Sequence, residues 1–224
     1  MKLEELKIKI FADCADIEEM ARLADLPYIK GFTTNPTLMR KAGVTSYEKW
    51  AKNVLAAIPD KPVSFEVIAD DFDEMERQAR KIAAWGENVY AKIPVMNTKG
   101  QSSAYTIHRL TLDGIKVNVT ALMQEVSTDI RLATNIQSIL SFFIGRVGDT
   151  GRRNTVGIID RTTLWASTRE VLNIFQAVGD HFDIITVPPE ILAKLTLIDK
   201  DLDEYSLETV KQFYDDAVAA GYTL

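Results

Sequence analysis

The chain has 224 residues, 46% hydrophobic and 26% charged, with a formal net charge of −6. That composition suits one large globular domain or two small ones, and the negative balance argues against nucleic acid as a main partner. No run of about 18 apolar residues offers a membrane span. The first residues, MKLEELKIKIFADCAD, lack the apolar core and cleavage site of a signal peptide. The single cysteine, Cys14, has no internal partner, so a cytoplasmic protein is expected.

In chain order, strands and helices alternate. Lys7–Cys14 reads as a strand that ends at Asp13, and Asp16 caps a helix to Ala24. Lys30–Thr34 is a short strand. Asn35-Pro36 opens the next helix, with Asn35 as N-cap and Pro36 in the first helical position. Ser46–Ala57 is a helix, Pro62–Ile68 a strand, and Asp71–Trp85 an amphipathic helix with Phe72, Met75, Ala79, Ile82 and Ala83 on one stripe. Asn88–Ile93 is a strand, Ser102–Leu112 a helix ending at Gly114, and Lys116–Thr120 a strand. Gln124–Ala133 is a helix and Ser138–Ile144 a strand. Thr162–Ser167 is a strand and Thr168–Ala177 a helix. Asp183–Val187 is a strand stopped by Pro188-Pro189, followed by a short helix, Glu190–Leu195. Asp203–Ala220 is a charged amphipathic helix.

Eight candidate strands, each mostly followed by a helix, imply a parallel sheet with helices outside it. The expected fold is α/β, a single-domain (β/α)8 TIM barrel over residues 1–202, with an extra C-terminal helix over 203–224. An open doubly wound sheet is the runner-up. The last helix carries Leu207, Val210, Phe213, Tyr214 and Ala217 on one stripe and has little barrel left to cover. It is expected to pack on a neighbouring subunit.

The stretch Val89-Tyr90-Ala91-Lys92-Ile93-Pro94 poses the chemical question. Strand alternation puts Lys92 on a face with Tyr90, near the end of a buried-looking strand. An ammonium taken out of water there lowers its pKa, pairs with an acid, or reaches a solvent-filled pocket. A lysine of the first kind can attack a carbonyl and form a Schiff base. A lysine that snorkels off the strand end is the plain alternative.

The neighbouring strand ends tip the balance. Asp13 ends the first strand, Thr33, Thr34 and Asn35 the second, and Glu66 the third. Asn118 and Thr120 end the fifth, Ser141 and Arg146 the sixth, Ser167 and Arg169 the seventh. In Val63–Val67 and Val117–Thr120 the apolar residues alternate with polar ones, so the polar sets face the barrel axis. Ions converging on one mouth need partners or a task. His108 and His181 are far apart and show no metal-ligand spacing, and no Gly-rich phosphate loop is present. Neither a metal nor an organic cofactor is expected.

The motifs FADCAD, GFTTNPTL, SFEVIADD, VYAKIP, KVNVTAL, SFFIGR, ASTR and TVPPE resemble the transaldolase family, in its short-chain branch that also holds the fructose-6-phosphate aldolases. They run in the family's order from about residue 8 to residue 190. The resemblance implies a class I aldolase that works on sugar phosphates. Lys92 would form the Schiff base and Asp13 would transfer the proton at the breaking C–C bond. Glu66 would work through a water that Thr120 also holds. Thr33, Asn35, Asn118 and Ser141 would bind the substrate, and Arg146, Ser167 and Arg169 its phosphate. Family aldolases that release free dihydroxyacetone tend to carry Gln in place of Glu66 and Tyr in place of Phe143, so both positions point to a transaldolase. The rivals are a fructose-6-phosphate aldolase-like enzyme and a non-catalytic barrel used as a binding module. The resemblance also implies a homo-oligomer, a pentamer or decamer.

Some features qualify these assignments. Cys14 takes the place of a threonine and reads as a small buried thiol. Only 19 residues, Val147–Trp165, separate Gly145-Arg146 from Ala166-Ser167, so the sixth helix must be short or missing. In the loop Gly148–Asn154, Arg152 and Arg153 either supplement the phosphate site or are surface charges. Asn35 is alternatively only an N-cap, and Glu66 only an ion partner of Lys92.

Overall fold

Each strand of this chain is short and apolar on the side that meets the helices, which favours a closed parallel sheet with helices outside. The computed structural model describes residues 6–153, 156–157 and 159–223. Residues 1–5 and 224, at the outer ends of the two expected units, and Asn154, at the end of the 148–154 loop, lie outside the described residues.

The strands are β1 (Lys9–Asp13), β2 (Ile29–Thr33), β3 (Val63–Glu66), β4 (Val89–Pro94), β5 (Val117–Leu122), β6 (Ile139–Phe142), β7 (Thr162–Trp165) and β8 (Ile184–Val187). They pair in sequence order, all parallel, and β8 returns to β1 to close the barrel. Closure removes the open doubly wound alternative. The helices are α1 (Ile17–Ala24), α2 (Pro36–Lys41), α3 (Tyr47–Ala57), α4 (Phe72–Ala83), α5 (Ala104–Leu112) and α6 (Thr128–Ala133). They continue with α7 (Ile144–Asp149), α8 (Leu172–Gly179), α9 (Pro189–Leu192), which runs into a 3-10 turn, and α10 (Leu202–Ala220). No helix among the described residues is long and apolar enough to cross a membrane.

Parity along the strands sorts the interior. Val63, Phe65, Val67, Val89, Ala91, Ile93, Val117 and Val119 are buried in one large cluster with the helices. The other faces point to the axis. Phe11, Ile139, Leu164 and Ile184 plug the barrel, with Tyr90 packed against them. Gly31 makes room for that plug, because a Cβ there would meet the Phe11 ring at 2.5 Å. Above the plug the axial positions become polar.

Local chemistry sets the helix starts. Asp16 accepts from the Glu19 N–H at 2.9 Å and Asn35 from the Leu38 N–H at 3.0 Å, each filling an orphan donor of a first turn. Some ends differ from the sequence expectation. The strand expected through Ile144 stops at Phe142, because Phe143 already caps α7. The helix expected from Gln124 starts at Thr128, after Ala121 has taken a left-handed φ of 63° and broken the β5–β6 register. The helix expected from Thr168 starts at Leu172. There the Thr168 hydroxyl donates to the Thr186 carbonyl instead, and Asn173 Oδ1 accepts the Arg169 and Glu170 N–H groups. As the spacing required, the helix after β6 is short: α7 has six residues.

The 19 residues of α10 include no buried one. Leu207, Val210, Phe213, Tyr214 and Val218 are all exposed on it.

Candidate active site

Lys92 lies on β4 beside Glu66 on β3, the two in register. Its Nζ is 2.9 Å from Glu66 Oε2 and donates to the Thr34 carbonyl at 2.9 Å. The residue is 5% exposed. A buried ammonium is tolerated on those terms, paired and hydrogen-bonded. The Tyr47 hydroxyl, from α3, donates to the Glu66 carbonyl at 2.7 Å and steadies the end of β3.

Asp13, at the end of β1, stands next to Thr33 in register on β2. The Thr33 hydroxyl donates to Asp13 Oδ1 at 2.7 Å and lies 2.5 Å from the Thr186 hydroxyl. Burial pushes the Asp13 carboxyl above the usual carboxylate range. The charge of Lys92 and the Thr33 hydrogen bond oppose that rise, while Glu66 and Glu190 add to it. A carboxyl so placed is suited to taking up and returning a proton during a reaction.

These side chains share one cavity of about 630 Å³ at the C-terminal ends of the strands, where (β/α)8 barrels place their chemistry. Its wall includes Asp13, Thr33, Asn35, Glu66, Lys92, Thr120, Ser141, Phe143, Arg146, Ser167 and Arg169. Thr120 Oγ1 is buried there without a hydrogen-bond partner. An orphan hydroxyl on a cavity wall is poised for a water or a substrate oxygen. Asn35 lines the wall while its Oδ1 caps α2, so one residue holds both positions that the sequence left open. Glu66 likewise pairs with Lys92 and also faces the cavity.

Asn118 is fully buried and stands in register with Lys92. Its Nδ2 donates to Ser64 Oγ at 3.0 Å, and its Oδ1 accepts from Ser141 Oγ at 2.6 Å. Its amide thereby orients Ser141, which lines the cavity.

The basic end of the cavity is built by two loops pressed together. Gly145 follows β6 and Ser167 follows β7, the latter with a left-handed φ of 65°. A Cβ at Gly145 would lie 1.6 Å from the Ser167 carbonyl oxygen, so only glycine lets the loops meet. Arg146 then lies over the Phe143 ring, 5.1 Å from its centroid, and Arg169 pairs with Asp149 at 2.6 Å. Arg152 and Arg153 are exposed and lie off the wall.

Several wall residues escaped the sequence reading, among them Lys41, Ala121, Thr186 and Glu190. Thr186 had a signal, since Ile185 and Val187 form the outward apolar set of β8 and leave Thr186 facing the axis. Lys41 had none, because an exposed helical lysine looks the same wherever its helix ends up. Cys14 is buried, and burial pushes its thiol up to about 11, which leaves it inert at neutral pH. Trp50 and Trp165 are core residues.

Fold and site together define a (β/α)8 barrel with an enclosed lysine–carboxylate centre beneath a basic rim. Residues 10–163 match the transaldolase/fructose-6-phosphate aldolase family, and the chain belongs to it. A protein of Dehalococcoides mccartyi named "Probable transaldolase" is 33% identical, covering 84% of this chain and 90% of that one. "Probable transaldolase 2" of Listeria monocytogenes is 34% identical over 88% of this chain and 94% of its own. Among solved structures, 2,3-dimethylmalate lyase superposes with a TM-score of 0.55 at 10% identity, covering 98% of this chain and 86% of that one. At that identity the likeness concerns the barrel alone.

Proposed function

We propose that the chain is a transaldolase that moves a dihydroxyacetone unit between sugar phosphates through a Schiff base on Lys92. One observation carries this reading: the Lys92 nitrogen sits inside the barrel, 2.9 Å from a carboxylate, on the wall of a cavity it shares with Asp13. Glu66 is within proton-transfer reach of the attacking nitrogen. Lys92 adds to the ketose C2 carbonyl, and loss of water leaves an iminium. Asp13 takes the C4 hydroxyl proton. The C3–C4 electron pair flows into the iminium, the aldehyde leaves, and an enamine stays on Lys92. The enamine then attacks the carbonyl carbon of a second aldose phosphate. Asp13 returns its proton to the new hydroxyl, and hydrolysis frees Lys92.

Glu66 and the orphan hydroxyl of Thr120 suit the water that is expelled and readmitted. Thr33, Asn35 and Ser141 present hydroxyl and amide groups to the three-carbon unit. Arg146 and Arg169 suit the phosphate, since a guanidinium fork matches its oxygens. Phe143 favours transfer over release, because its ring has no hydroxyl to bring water to the enamine.

Borohydride trapping with fructose 6-phosphate, followed by peptide mass mapping, should place a reduced adduct on Lys92. No adduct there would overturn the reading. Rapid release of free dihydroxyacetone without an acceptor aldose would instead make the enzyme an aldolase of the same chemistry.

A further inference from the structure

We propose that Thr186 is a positioning residue for proton transfer: its hydroxyl locks Thr33 onto one oxygen of Asp13 and leaves the other oxygen to carry the proton. The proposal rests on Asp13 being the acid–base group of the reaction above. A threonine hydroxyl has one hydrogen to give. Thr33 Oγ1 lies 2.7 Å from Asp13 Oδ1 and 2.5 Å from Thr186 Oγ1. With the Thr33 hydrogen given to Asp13, the second contact is a hydrogen bond only if Thr186 donates it. The chain therefore runs from Thr186 to Thr33 to Asp13 Oδ1. Donation into the Thr33 oxygen polarises its O–H and strengthens the bond that follows.

Water has little room to replace this arrangement, as Thr33 is 2% exposed and Thr186 4%. Thr186 is itself fixed, because its backbone carbonyl accepts the Thr168 hydroxyl at 2.7 Å. Its register partner on β1 is Phe11, two residues before Asp13 on the same face. Asp13 Oδ2 accepts no hydrogen bond among the described residues. With Oδ1 held, Oδ2 is the atom that takes the proton. The charged groups that face Asp13 are Lys92 on β4, Glu66 on β3 and Glu190 on α9. None of them belongs to the hydroxyl chain, so a change at Thr186 leaves them in place.

The test is a 13C carboxyl NMR titration of Asp13 in the full chain, with Asp13→Asn assigning the resonance. Thr186→Val keeps the shape and removes the donor. It should raise the Asp13 midpoint by about half a pH unit, the size expected for weakening one charge-assisted bond in a short chain. Thr186→Ser keeps the donor and should titrate within about 0.2 unit of the parent protein. In turnover, the acid limb of kcat for Thr186→Val should move up by the same amount, with KM nearly unchanged and borohydride trapping at Lys92 intact. A Thr186→Val titration that overlays the parent's, or a serine variant that moves as far as valine, overturns the proposal. Should the valine variant not fold, Thr186→Ala is read by the same criteria. Failure of the parent protein to form the Lys92 adduct would defeat the transaldolase reading, and the titration would still judge Thr186.

Discussion

Replacing Gly145 with alanine should disable the handling of phosphorylated substrates while sparing the amine chemistry. The new Cβ would sit 1.6 Å from the Ser167 carbonyl oxygen and 2.8 Å from its carbonyl carbon. Relief even to 3.0 Å, the shortest approach a Cβ tolerates, requires a retreat of roughly 1.4 Å. The obstacle is backbone, so no rotamer change can absorb it. The two loops must part, and with them Arg146 on one side and Ser167 and Arg169 on the other. Overpacking of this kind costs about 1–3 kcal/mol, or a fall in Tm of about 3–10 °C for a chain of this size. Misplacing a substrate-holding group by about 1 Å costs on the order of 100-fold in rate. Steady-state assays should show kcat/KM for a phosphorylated acceptor down by about that factor. Trapping of unphosphorylated dihydroxyacetone on Lys92 should stay within a few-fold of the parent protein. Parental kinetics with the phosphorylated acceptor would refute the reasoning. Equal loss with the unphosphorylated ketone would show that the two loops support the amine rather than the phosphate.

Lys92→Met should abolish the borohydride adduct. It should also destabilise the fold by about 3 kcal/mol, since it strands Glu66 in a largely buried position; an adduct at another lysine would contradict the site. Asp13→Asn should raise Tm at pH 7 while removing turnover. The folded carboxyl titrates above its ordinary 3.8, so the stability it contributes is present below that value and lost as pH rises through the raised one. The gain should therefore fade in acid, and an asparagine variant less stable than the parent protein at pH 7 would contradict the burial argument. Phe143→Tyr should increase release of free dihydroxyacetone without an acceptor, as judged by product analysis; an unchanged partition would remove Phe143 from the specificity argument. Our reading of α10 as a contact between subunits is tested by Val210→Asp with Phe213→Asp, at positions 60% and 66% exposed. Sedimentation should then show a smaller species, whereas an unchanged oligomer would reject the contact.

The barrel was legible because its signals are local. Alternation in VSFEV and VYAKIP marks which face meets the helices, and Asp16, Asn35 and Asp71 mark helix starts by filling orphan N–H groups. The placing of Asp13, Glu66, Lys92, Thr120 and Ser141 around one mouth followed from parity and strand order together. Less legible were the ends shaped by long-range bonds. Thr168 reads as a helix start, yet its hydroxyl goes to the Thr186 carbonyl and the helix begins later. Asn118 has the axial parity the sequence implied, but parity does not report its partners, and its amide is engaged by Ser64 and Ser141.

Period, cap and motif thus determined on their own the order of the elements, the inward faces of the strands and the membership of the polar ring, because each depends on residues a few positions apart. Closure of the barrel decided the rest. It brought Thr186 from the eighth strand to Thr33 on the second, while the pairing of neighbouring strands set Gly145 against Ser167 and the Lys92 amine within 2.9 Å of Glu66. Those contacts join segments far apart in sequence, and their distances are fixed by register and packing, which no single stretch of the chain encodes.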